Sequence, residues 1–114
     1  MRIQDRSVGA IAVLEVDGSL EAGDDPGVLK AAVEEALRRG SVDVVLDLTR
    51  VGYVGSTRLG ELIAAHVTVT RGGGRLKLAS VPPRVVELLR IAGLESVFER
   101  FDSVAAATTP LQET

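Results

Sequence analysis

Two short apolar runs, Ala10–Val16 and Val42–Leu48, and an alternating segment, Arg75–Ser80, are separated by stretches whose apolar residues recur at helical spacing. This alternation is the strongest constraint in the chain. Strands joined through helices must cross over a sheet and lie parallel within it. The first run is rich in apolar and β-branched residues and stops at Asp17-Gly18, a turn signal. A shorter strand around Arg2 to Arg6 precedes it, folded back as a hairpin across Ser7-Val8-Gly9. The second run contains Val44-Val45-Leu46, an unbroken apolar core suited to the centre of a covered sheet.

The intervening stretches carry helix signals. Val28, Leu29, Ala32, Val33, Ala36 and Leu37 share one face, with Gly40 as the stop after Arg38-Arg39. Gly23-Asp24-Asp25-Pro26 predicts its start, an Asp N-cap followed by Pro at the first helical position. Ser56 to Arg71 reads as a second helix, with Leu59, Leu62, Ile63, His66 and Val67 on one side and Gly72-Gly73-Gly74 at its end. Arg84 to Ala92 reads as a third, stopped by Gly93. Leu94 to Phe98 suggests a short helical turn, Phe98 to Phe101 a last extended segment, and Ser103 to Ala107 the start of another helix. The order β-β-α-β-α-β-α predicts an α/β fold. Its sheet is mixed but mostly parallel, with an antiparallel edge hairpin and helices packed on it. One domain over residues 1–108 and a C-terminal tail over 109–114 are expected.

Composition then removes whole classes of function. There is no Cys, so thiol nucleophiles, disulfides and Cys-ligated metals are excluded. The single histidine, His66, rules out multi-His metal centres and leaves one imidazole for any triad. Aromatic residues make up 3% of the chain and the net charge is −3, so nucleic acid is not an expected partner. The first residues hold no apolar h-region and no run is long enough for a membrane span. A soluble cytoplasmic protein that needs no cofactor is the expectation.

Function must therefore come from the loops after the strands. Val51 to Gly60 places Ser56-Thr57 at a helix start. One reading makes Ser56 or Thr57 an N-cap, worth about 1 kcal/mol. The other makes Ser56 a phosphorylation site. A phosphate at a helix N-terminus meets free N–H groups and the positive end of the dipole, yet places a large charge on any docking surface. Gly72-Gly73-Gly74 follows a helix rather than a strand and lacks the Gly-Lys-Ser/Thr ending of a phosphate loop, which favours a C-cap turn. His66 is expected to pack rather than to catalyse. A Ser56–His66 enzyme would need two groups about 15 Å apart along one helix. Glu21, Asp24 and Asp25 form an acidic loop with no metal-loop spacing, suited to solvent or to partner contact.

The residues then resemble a known family. Val16-Asp17-Gly18-Ser19-Leu20-Glu21, Val44-Val45-Leu46-Asp47-Leu48 leading through Val51 and Tyr53 into Ser56-Thr57-Arg58-Leu59-Gly60, Gly72-Gly73 before Leu76-Lys77-Leu78, and Leu88 to Leu94 before Phe98 are similar in order and spacing to STAS domains. The likeness runs over roughly residues 2 to 108 and is greatest to small bacterial anti-sigma-factor antagonists. It implies an interaction switch and no enzyme. An anti-sigma factor that is also a serine kinase would bind the unmodified protein and phosphorylate Ser56, with Thr57 the second candidate, and a phosphatase would reverse the change. Glu21, Asp24, Asp25, Tyr53, Gly55, Ser56, Thr57 and Arg58 would form the docking surface. The alternative is a non-phosphorylated scaffold or sensor that binds another protein or a small ligand. Two positions depart from the family pattern: Gly55 stands where Asp precedes the serine, and Arg58 where Gly follows the Ser/Thr pair.

Overall fold

In the computed structural model, residues 2–20 and 27–109 are described, and the side chains of residues 19, 20, 53 and 56–58 lie outside that description. Strand β1 (Arg2–Val8) folds back on β2 (Ile11–Leu20) through the two-residue turn Gly9-Ala10. Gly9 has φ +61°, a left-handed value that a glycine adopts without a Cβ penalty. Helix α1 (Val28–Arg38) crosses to β3 (Asp43–Val54), α2 (Ser56–Arg71) to β4 (Leu76–Ala79), and α3 (Pro83–Ile91) to β5 (Glu99–Phe101). A last helix, α4 (Val104–Thr108), follows. The five strands lie in chain order, β1 antiparallel to β2 and the rest parallel. The expected α/β architecture is thus the observed one.

Side-chain alternation divides the core in two. Ala12, Leu14, Val16, Val44, Leu46, Leu48, Leu76 and Leu78 face one side and meet Leu29, Val33 and Ala36 of α1, Leu62, Ala65 and Val69 of α2, and Val85 and Leu89 of α3. All three crossover helices therefore cover the same face, as right-handed crossovers in sequential order require. Each fully buried leucine in this layer contributes about 1.5–3 kcal/mol. Val13, Val45 and Ala79 point the other way and meet Ala107 and Val104 of α4. Val44, Val45 and Leu46 are each fully buried because β3 is covered on both sides at that point.

Lys77 also faces α4. It is buried, its Nζ donates to the Ala107 carbonyl at 3.1 Å, and it lies 5.3 Å from the centre of the Phe101 ring. Ser103 caps α4 by accepting from the Ala106 amide at 3.0 Å. At the sheet margin Arg75 pairs with Glu99. The hydrogen bond that Arg75 donates to Glu99, and then the charge of Glu99, hold the guanidinium above its ordinary pKa.

Several expected boundaries move. Helix α1 begins at Val28 with Gly27 as N-cap at φ +83°, later than the expected start, and Asp24, Asp25 and Pro26 lie outside the described residues. The Gly27 carbonyl accepts the first helical bond, from Ala31 at 2.8 Å. Strands β2 and β3 run on to Leu20 and Val54, well past Asp17-Gly18 and Leu48. Parallel pairing continues through two register shifts, and the cross-strand bonds outweigh the local turn signals. Residues 94–98 form turns with no helix. The expected tail, from residue 110 on, lies outside the described residues.

Candidate functional site

Parallel pairing decides where the candidate loops meet. Leu20 at the end of β2 is the register partner of Val54 at the end of β3. Adjacent strands are about 4.8 Å apart, so the chain leaves the sheet after Leu20 and after Val54 at neighbouring points. The acidic residues Glu21, Asp24 and Asp25 lie outside the described residues, but both connections start from one end of the sheet. That end, at the carboxyl ends of parallel strands, is where α/β folds commonly place their sites.

Helix α2 then sets the position of Ser56. Gly55 is the N-cap, with φ −79° and ψ 165°, and its carbonyl accepts from the Leu59 amide at 2.9 Å. Ser56 is consequently the first residue inside the helix, Thr57 the second and Arg58 the third. This corrects the reading of Ser56 or Thr57 as the cap. The strand continues extended through Gly55 and turns helical only at Ser56. A φ of −79° suits any residue, so Gly55 is not required by conformation. What glycine changes is the cap itself, because it supplies no side-chain acceptor for the first-turn amides. The positive end of a 16-residue helix therefore lies at Ser56 without a side-chain cap from Gly55.

The backbone of Tyr53 continues β3 toward this end, and Gly55 is buried where the strand passes into the helix. The side chains of Tyr53, Ser56, Thr57 and Arg58 lie outside the described part. Leu59 anchors the first turn against the helix-side core.

His66 stands ten residues beyond Ser56 on the same helix, about 15 Å away by helical rise. Its ring meets Phe98 edge-on, centroids 5.6 Å apart at 71°, and its buried Nδ1 has no hydrogen-bond partner among the described residues. This is a packing contact. The Ser56–His66 pairing is not assembled. Gly72-Gly73-Gly74 closes α2 as a C-cap turn. Gly72 and Gly74 amides donate to the Val69 carbonyl at 3.1 and 3.0 Å, and Gly73 has φ +87°. Among the described residues no group of three or more His, Cys, Asp or Glu could hold a metal ion, and no helix is long and apolar enough to cross a membrane.

One feature at this end was not expected from sequence. On the sheet face away from α1–α3 lies a polar cleft of about 300 Å³ lined by Arg2, Glu15, Asp17, Asp47 and Arg50. The local signal for it, charged residues in β1 and at the end of β2, reads as ordinary wet surface until the strand register is known.

Comparison with known proteins shows the same fold. The chain is 24% identical over 102 residues to the anti-sigma F factor antagonist of Paenibacillus polymyxa, covering 90% of this chain and 87% of the relative. A crystal structure of an anti-sigma factor antagonist from Mycobacterium paratuberculosis superposes with a TM-score of 0.79 at 19% identity, over 93% of this chain and 89% of that one. The Bacillus cell fate determinant SpoIIAA in its phosphorylated form superposes with a TM-score of 0.69 at 17% identity, over 93% and 96%. The STAS domain family model matches residues 2–107, nearly the whole described fold, and the chain belongs to the STAS domain family.

Proposed function

We propose that this protein is an anti-sigma-factor antagonist. It binds an anti-sigma factor that is also a serine kinase, and phosphorylation of Ser56 ends that binding until a phosphatase restores it. The observation that carries the reading is the place of Ser56: first residue of α2, behind a glycine cap, at the sheet end from which the β2–α1 connection also leaves. A phosphate there meets amides without helical acceptors and the positive helix dipole, so the fold tolerates it. On a docking surface the same charge opposes association through repulsion and desolvation. Glu21, Asp24, Asp25, Tyr53, Gly55, Thr57 and Arg58 complete the surface, and Thr57 is the second candidate for modification. The protein acts as a cytoplasmic regulator and not as an enzyme. The antagonist name of the Paenibacillus relative and the phosphorylated form of SpoIIAA support this reading.

The test is incubation with ATP and the kinase-type anti-sigma factor of the same genome, with phosphate mapped by mass spectrometry. Incorporation at Ser56, with Ser56→Ala retaining binding and Ser56→Asp losing it, supports the switch. Binding by both variants without phosphate incorporation replaces it with a constitutive scaffold, the role that Gly55 and Arg58, the two departures from the family pattern, would favour. Hydrolase activity dependent on His66 would overturn both.

A further inference from the structure

The sheet face opposite α1–α3 is only partly covered. Helix α4 lies over Val13, Val45 and Ala79. Beyond it, toward the ends of β2 and β3, the polar cleft is open. Arg2, Asp17 and Arg50 line it in a row across three strands, because Arg2 and Asp17 are register partners and so are Asp17 and Arg50. Two strand spacings put the backbones of Arg2 and Arg50 roughly 10 Å apart. Two arginine side chains span that distance around one small group.

Arg50 reaches the cleft through a β-bulge. Glu15 pairs with Asp47 but Asp17 pairs with Arg50, so β3 holds one extra residue in the interval. Leu48 and Val51 are both buried in the helix-side core, three residues apart, where strict alternation demands an even spacing. The extra residue leaves Thr49 and Arg50 together on the cleft side. Asp47 fixes this shape: its Oδ1 accepts from the Thr49 amide at 3.0 Å and from the Thr49 hydroxyl at 2.6 Å.

The charges in the cleft are unevenly matched. Arg6, Arg38, Arg39, Arg75, Arg90 and Arg100 each have a carboxylate partner. No such ion pair involves Arg2 or Arg50 among the described residues. The Glu15 carboxylate is engaged by Arg6 at 3.1 Å, and that of Asp47 by Thr49. Two guanidinium groups, whose planar forks fit carboxylate and phosphate oxygens, thus face one open cleft beside two carboxylates that no cation pairs among the described residues, Asp17 and Asp47.

We infer that this cleft binds a small molecule through a carboxylate or phosphate group held between Arg2 and Arg50. Asp17 accepts a hydrogen bond from a hydroxyl or ammonium of the same ligand. The site is separate from Ser56 and binds without an anti-sigma factor, so its failure leaves the proposed switch untouched.

The experiment is an amide-resonance titration of the full chain, in low-salt buffer without phosphate, using inorganic phosphate in one series and succinate in another. Saturable shifts at residues 2–4, 15–17 and 47–50, with a dissociation constant at or below about 1 mM, are expected from at least one probe. The tighter of the two identifies the oxyanion class. Arg50→Gln and Arg2→Gln each weaken that binding about tenfold or more, while Arg84→Gln, on α3, leaves it unchanged. Arg2 is exposed on an edge strand, so its variant keeps the fold even if Arg50→Gln disturbs the bulge. Absence of saturable shifts with both probes, undiminished binding in Arg2→Gln, or shifts centred on residues 55–59 would each overturn the assignment.

Discussion

Lys77 and Ala107 are joined across the less covered face of the sheet: the buried ammonium of β4 donates to the carbonyl near the end of α4. A cation at a helix C-terminus is favourably placed, and the bond ties a five-residue helix that has little apolar surface of its own. Lys77→Ala leaves that carbonyl without its donor. A loss of about 1–3 kcal/mol is expected in urea denaturation. Faster hydrogen exchange at residues 104–108, with little change in α1, would localise the effect. Lys77→Met keeps the apolar stem and removes the buried charge, so its loss should be smaller.

Gly74 is fixed by space and not by dihedral freedom. A Cβ at this position would lie 1.8 Å from the Val42 carbonyl oxygen, which is backbone and cannot rotate away. Gly74→Ala must push the α2–β4 turn off β3 and is expected to cost about 3 kcal/mol or more. Gly60→Ala on α2 meets nothing within 4 Å and should stabilise by about 0.5–1 kcal/mol. Paired denaturation curves of the two variants check the contrast.

Ser56→Asp separates stability from recognition. An acidic residue at the first helical position interacts favourably with the dipole, so the folded state should gain about 0.3–1 kcal/mol at low ionic strength. Loss of partner binding by a variant that is as stable as the parent, or more so, would show that the charge acts at the docking surface. A lowered melting temperature would instead mean that Ser56 has a structural role.

Phe98 and His66 make a further test. Phe98 is buried in the helix-side core, and Phe98→Ala is expected to cost about 3–5 kcal/mol. His66→Leu removes an edge-on aromatic contact, worth about 0.5–1.5 kcal/mol. It also removes a buried nitrogen that lacks a hydrogen bond, so stability should change by less than about 1 kcal/mol. Thermal and urea unfolding of both variants measures the difference.

The sequence was most legible where local and tertiary preferences agree. The apolar stripe of α1, the span of α2 and the Val44-Val45-Leu46 run were readable because each pattern is set by the face that must be buried. The caps were not. Asp25 and Ser56 have the better capping chemistry, yet Gly27 and Gly55 occupy those positions, because the direction of the incoming chain sets where a helix starts. The extension of β3 through Thr49-Arg50-Val51-Gly52 was hidden for a similar reason. A bulge shifts the alternation, and no periodicity within one strand reports a shift defined by its neighbour. The place of Ser56 at the start of a helix that follows a strand was legible in the sequence. The Arg2–Asp17–Arg50 row was not, since it exists only in the register of three strands.

The order of the strands also bears on how the protein is made. Each new strand pairs with the one synthesised just before it, and each crossover helix packs on sheet already formed. After β1, no strand waits for its first partner from a later part of the chain. A polypeptide emerging from the ribosome can therefore add one βα unit at a time, with only its newest edge unpaired at any moment. Chain growth and sheet growth share one direction, from the hairpin toward β5, and α4 packs on part of the second face last.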